Sequence, residues 1–101
     1  MLDVVRRTGG SIADVSDEEV VDSIRLLAAT EGIFGETAGG VTLGVLRKLI
    51  KDGQLDPEAE TVIINSGDGL KTLDAVIEAV EVPAPIRPTL EAFQERYSEP
   101  A

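Results

Sequence analysis

Thr61-Val62-Ile63-Ile64-Asn65-Ser66-Gly67-Asp68-Gly69-Leu70-Lys71 is the stretch on which the reading of this chain turns. Its first four residues are an unbroken β-branched run, mostly apolar, and such a run suits a parallel strand buried on both faces. A loop from Ser66 to Gly69 follows at the C-terminal end of that strand. Two glycines there remove side-chain bulk and free φ, Ser66 brings a hydroxyl that can donate or accept, and Asp68 can cap or turn the loop. The spacing fits either an ordinary strand-to-helix turn or a place where backbone approaches a ligand. It is not a G-x-x-x-x-G-K-[ST] phosphate loop, and it lacks the dinucleotide fingerprint.

Working outward, Leu2 to Arg7 closes on Gly9-Gly10 and reads as a helix end with a glycine C-cap. It is either a frayed terminal turn or the tail of something N-terminal to it. Ser11 to Val15 is a short strand candidate. Ser16-Asp17-Glu18-Glu19 has the form of a capping box, opening a helix from Asp17 to about Thr30 with Val20, Ile24, Leu27 and Ala28 at helical spacing. Ile33-Phe34, between Gly32 and Gly35, reads as another brief strand. Thr37 to Lys51 is the next helix, with Val41, Val45, Leu46 and Leu49 on one face and Gly53 at its end. Gly39, Gly40 and Gly44 each cost this helix about 1 kcal/mol relative to Ala, and small residues there let a second backbone or a ligand come close. Asp56-Pro57-Glu58 is a turn. Leu73, Val76, Ile77 and Val80 mark a short helix after the glycine loop. The prolines at 83, 85 and 88 force an extended arm. Leu90, Phe93 and Tyr97 lie on a last helix capped by Thr89. This order predicts an α/β fold in one domain over residues 1–101, a short mainly parallel sheet with flanking helices. Ligands of such sheets bind beyond the carboxyl ends of the strands, where Ser66 to Gly69 would lie.

Composition narrows the partners. In 101 residues, 43% are apolar, too many for a wholly disordered acidic tail, and only 3% are aromatic, so the core must be aliphatic. Nineteen acids against nine bases give a net charge of −10, which argues against nucleic acid and against anionic membrane surfaces, both of which are gripped through Lys and Arg. With no cysteine and no histidine, no disulfide, thiolate or imidazole is available as cross-link, nucleophile, base or metal ligand. The acids do not fall at the spacing of a calcium loop. No apolar run approaches the roughly 20 residues of a membrane span, and no apolar core follows Arg6-Arg7 as a signal peptide requires. A cytoplasmic protein is expected.

Two ordered motifs carry a family resemblance. Glu31-Gly32-Ile33-Phe34-Gly35-Glu36-Thr37-Ala38-Gly39-Gly40-Val41-Thr42 resembles the E-G-I-F-x-E-[PT]-A-[SG]-[AG] stretch of threonine synthases. Ile64-Asn65-Ser66-Gly67-Asp68-Gly69-Leu70-Lys71 resembles their L-[NT]-T-G-[NDH]-G-L-K stretch. Arg7-Thr8-Gly9-Gly10-Ser11-Ile12, Val15-Ser16-Asp17-Glu18-Glu19 and Ile86-Arg87-Pro88 are similar to further parts of the same family, so the likeness covers nearly the whole chain. The resemblance implies a C-terminal piece of a pyridoxal-phosphate (PLP) enzyme of the tryptophan-synthase-like fold. Such enzymes convert O-phospho-L-homoserine and water to L-threonine and phosphate. It further implies that Ser66 faces the pyridine nitrogen of PLP, with Asn65, Gly67 and Gly69 as the other cofactor-binding candidates. Glu36 could line the pocket opposite, or could serve only as a helix N-terminal acid.

The resemblance also implies what this chain lacks. The family's catalytic lysine and its phosphate-cradling loop lie upstream, and Lys48, Lys51 and Lys71 correspond to neither. The chain is therefore expected to be inactive alone and to bind no PLP alone. Its partner would be the N-terminal part of the same enzyme. A non-catalytic interaction or regulatory module is the alternative, and a small anion-binding protein using the Ser66 loop is a third. Apolar surface left on the sheet edge and on the 37–51 helix would favour self-association.

Overall fold

Ser16 and Glu19 make the reciprocal pair their spacing foretells. The Glu19 N–H donates to the Ser16 hydroxyl oxygen at 3.2 Å, and the Ser16 N–H donates to the Glu19 carboxylate at 3.1 Å. In this computed structural model, which describes residues 1–98, the pair opens helix α2, Asp17–Glu31, and Gly32 closes it in the left-handed conformation at φ 67°. Helix α1 spans Leu2–Thr8 and ends on Gly9 at φ 71°. Helix α3 spans Thr37–Lys51, and helix α4 spans Leu90–Tyr97 with the Thr89 hydroxyl oxygen accepting from the Ala92 N–H at 3.2 Å. All four helices lie where capping residues and apolar spacing put them.

The expected α/β fold does not form. The chain is 56% helical and has no sheet among the described residues. Its one strand-like pairing is a single antiparallel bridge between Gly35 and Asp68. Thr61 to Asn65 is irregular, with no backbone hydrogen bond along it, and Val62 and Ile64 are 86% and 80% exposed. The physical reason is that strand structure is a property of pairs. A strand buried on both faces needs a neighbour along its edge and a layer on each side, and the described residues supply neither. Ser11 to Val15 is also unpaired. It contacts α3 and the turn after it instead, through Lys48 Nζ to the Asp14 carbonyl at 2.7 Å and Ser11 Oγ to Gln54 Oε1 at 3.3 Å. Lys48 is thus half-buried and engaged.

The helix expected after the glycine loop is also different. It is a 3₁₀ run over Gly69–Ala75 with a single further turn at Ile77–Ala79. Thr72, at φ −128° and ψ 41°, breaks the run.

Helices α2 and α3 pack on each other through small residues. The buried positions of α3 are Gly39, Gly40 and Gly44, not its apolar face. A Cβ on Gly40 would stand 2.8 Å from the Val20 carbonyl oxygen and 2.8 Å from Ile24 Cγ1, and one on Gly44 would stand 3.2 Å from Ser23 Oγ. The second backbone that these glycines admit is therefore α2. Val20, Ile24 and Val76 form the core, with Val15, Val21 and Phe34 packed against it. Each full burial of such a side chain contributes about 1.5–3 kcal/mol, so three make a small core for this length. Val41 on α3 and Leu90, Phe93 and Tyr97 on α4 stay exposed. The radius of gyration is 19.0 Å, against about 13 Å for a compact chain of 100 residues.

Candidate functional site

The two motifs quoted above meet in space. The Gly69 N–H donates to the Phe34 carbonyl at 2.8 Å, and the Glu36 N–H donates to the Gly67 carbonyl at 3.4 Å. Together with the Gly35–Asp68 bridge, these bonds lay the loop across the entrance to α3. The Thr37 N–H donates to the Thr72 hydroxyl oxygen at 3.2 Å. The first turn of a helix leaves N–H groups without partners, and here one of them is satisfied from 35 residues away. Within the loop, the Asp68 carboxylate accepts from the Leu70 N–H at 2.9 Å, which is the capping role its side-chain length allows.

Glycine leaves room at these contacts. A Cβ on Gly69 would overlap the Phe34 ring, one on Gly67 would overlap the Glu36 carboxylate, and one on Gly39 would overlap the Asn65 carboxamide oxygen. Gly67 also adopts φ 82°, where other residues are strained. Sequence spacing ties Gly67 and Gly69 to freedom of the loop backbone. The structure shows a second reason, which is that the α3 segment is pressed against them.

The candidate residues therefore divide. The Asn65 side chain enters the notch formed by Gly35 and Gly39 at the start of α3, its oxygen 2.7 Å from where a Gly35 Cβ would stand. Gly67 and Gly69 form the floor of the junction. Ser66 is exposed, and its hydroxyl takes no part in the bonds that hold the loop. Glu36 occupies the N-cap position of α3 but makes no side-chain cap. Its carboxylate turns to the loop and pairs with Lys71 Nζ at 3.5 Å, the Glu36 side chain being 13% exposed. Sequence reasoning missed Thr72 and the Glu36–Lys71 pair. No local spacing announces a contact between residues 35 apart. The only signal present was the order of the two motifs.

Lys71 is paired with Glu36 and Lys48 with Asp14, at 3.5 and 3.6 Å, and Lys51 sits at the C-terminal end of α3. No group of acids among the described residues could hold a metal ion.

The chain belongs to the pyridoxal-phosphate dependent enzyme family, whose profile matches residues 1–67. Its relatives include threonine synthases. That of Methanocaldococcus jannaschii is 42% identical over 85 residues, 84% of this chain and 21% of the relative. That of Halalkalibacterium halodurans is 30% identical over 87 residues, 86% of this chain and 25% of the relative. That of Methanosarcina acetivorans is 33% identical over 94 residues, 93% of this chain and 23% of the relative. The chain thus spans between a fifth and a quarter of the length of these relatives.

Against PLP itself, the residues present fit one edge only. An exposed hydroxyl on a loop braced from behind, as at Ser66, suits a ring nitrogen. For the cofactor's phosphate and for its covalent attachment, the described residues assemble no matching group.

Proposed function

We propose that this chain is the C-terminal part of a threonine synthase and supplies the pyridine-side wall of its PLP site, with Ser66 as the contact to the ring nitrogen. The observation that carries the reading is the junction itself. The two motifs shared with threonine synthases are locked together by the Gly69–Phe34 bond and the Gly35–Asp68 bridge, and Ser66 is left free at the open side. Bound PLP would supply an electron sink for the reaction on O-phospho-L-homoserine. A hydroxyl partner, unlike a carboxylate, does not strongly favour a protonated ring, so Ser66 would orient the cofactor while tempering that sink. Asn65, Gly67 and Gly69 would hold the loop at the right height. The reaction would run in the cytoplasm, and no helix among the described residues is long and apolar enough to cross a membrane.

The exposed Val62 and Ile64 and the unpaired backbone between them support a partner that completes the fold, namely the remaining part of the same enzyme. The test mixes this chain with PLP, first alone and then with a polypeptide covering the rest of the Methanocaldococcus jannaschii threonine synthase. Phosphate release from O-phospho-L-homoserine is measured in each. Release only in the ternary mixture supports the reading. No binding between the two polypeptides, with no release, removes it and leaves a non-catalytic module in its place.

A further inference from the structure

We propose that Glu36 is the positioning residue for Ser66, a staple that reaches from the head of α3 across the glycine loop and sets where the hydroxyl points. The proposal rests on the reading of Ser66 as the ring-facing group and deepens it.

A residue at the N-cap ordinarily accepts from the first turn of its helix. Glu36 has the extended backbone of an N-cap, φ −76° and ψ 178°, yet makes no such bond. The Thr72 hydroxyl takes the Thr37 N–H, the first of the helix. The carboxylate is therefore free for other use, and it is largely buried, at 13% side-chain exposure. Burying a carboxylate is costly unless it is paired. Its pairing is specific to the loop. Oε2 faces Lys71 Nζ at 3.5 Å, and Oε1 faces the α-carbon side of Gly67, where a Cβ would overlap it. One side chain thus touches both ends of the segment Gly67–Lys71. Both oxygens face protein, so a role as a ligand-side acid is disfavoured.

The loop depends on this contact. Of the two backbone bonds that tie it down, the one at Gly69 is short, 2.8 Å, whereas the one nearest Ser66, from the Glu36 N–H to the Gly67 carbonyl, is 3.4 Å. A bond that long restrains weakly. The Glu36 side chain resting on Gly67 adds to that weak restraint, and any shift of Gly67 moves Ser66, its covalent neighbour. A hydrogen bond from a hydroxyl to a ring nitrogen tolerates only a few tenths of an ångström.

The test uses the 101-residue chain and amide hydrogen exchange at Gly69, with Glu36→Gln, Lys71→Met and Lys71→Arg. Removing the pair should speed Gly69 exchange by roughly three- to tenfold, with α2 and the middle of α3 unchanged, and Lys71→Arg should restore protection. Unchanged Gly69 exchange in both Glu36→Gln and Lys71→Met overturns the proposal. If Glu36→Gln unfolds the helices as well, Lys71→Met decides, because the Lys71 side chain is 72% exposed and the helices do not rest on it. A second arm combines each variant, and Ser66→Ala, with the rest of the Methanocaldococcus jannaschii enzyme and PLP, and reads the absorption band of bound PLP. A band moved by Ser66→Ala and moved likewise by Glu36→Gln supports positioning. A band that Ser66→Ala moves and Glu36→Gln does not overturns it while the Ser66 reading stands. A band indifferent to Ser66→Ala overturns the Ser66 reading, and with it any positioning role beyond bracing the loop.

Discussion

The Asn65 carboxamide oxygen stands where a Cβ on Gly39 would have to go. The same helix meets a different obstacle one residue later, since a Cβ on Gly40 would stand 2.8 Å from the Val20 carbonyl oxygen, which is backbone. The two neighbours therefore predict opposite responses to the same substitution. Alanine gains about 1 kcal/mol of helix propensity over glycine at either position. At Gly39 the obstacle is the end of a side chain that can swing away. Gly39→Ala should keep or slightly raise stability while displacing Asn65, seen as a change in the Asn65 side-chain amide resonances. At Gly40 the overpacking, about 1–3 kcal/mol, outweighs the propensity gain. Gly40→Ala should lower the urea midpoint.

Ser23 should be better replaced. It is 1% exposed, faces Gly44 across the α2–α3 contact, and its hydroxyl has no hydrogen-bond partner among the described residues. A buried unsatisfied hydroxyl costs about 1–3 kcal/mol, and alanine is also the better helix former. Ser23→Ala is expected to raise stability by about 1 kcal/mol in urea denaturation. A loss of stability would show that the hydroxyl is bonded.

The capping box carries a pH dependence. The Ser16 backbone N–H, and secondarily its side chain, hold the Glu19 carboxyl below its ordinary value. A carboxyl held lower in the folded state is more readily ionised there than in the unfolded chain. Its contribution is thus present above the ordinary carboxylate range and is lost as the pH falls through the folded value. The start of α2 should fray on acidification, read from the amide resonances of residues 16–20. In Glu19→Gln that pH dependence should vanish.

Val62 and Ile64 test whether the run Thr61 to Ile64 is a strand in waiting. Both are exposed, so Val62→Lys and Ile64→Lys should change the stability of this chain by no more than about 0.5 kcal/mol. In a strand buried on both faces the same changes would cost several times that. Unpaired apolar strands invite pairing with copies of themselves, and charge on them opposes it. The double variant should therefore sediment as monomer at concentrations where the parent chain self-associates. A parent that is monomeric at all concentrations would exclude this pairing.

The helices of this protein could be read from residues close together in sequence. Ser16 with Glu19, Thr89 with Ala92, and Gly9, Gly32 and Gly53 at helix ends all act within four positions or so, and hydrogen bonds of that reach form wherever the residues occur. The family was legible for a related reason, since the order and content of two motifs survive in a linear chain. The sheet was not. Thr61 to Ile64 has every local property of a buried strand, but a strand exists only when another chain segment offers it donors and acceptors, and no described segment does. Likewise, Gly67 and Gly69 announced themselves as a loop, while the reason for glycine there, contact with Glu36 and Phe34 from the head of α3, arises only once residues more than 30 positions apart are brought together. Propensity and capping are local energies. Pairing, close approach and the Glu36–Lys71 clamp are contact energies, and contacts belong to the folded arrangement.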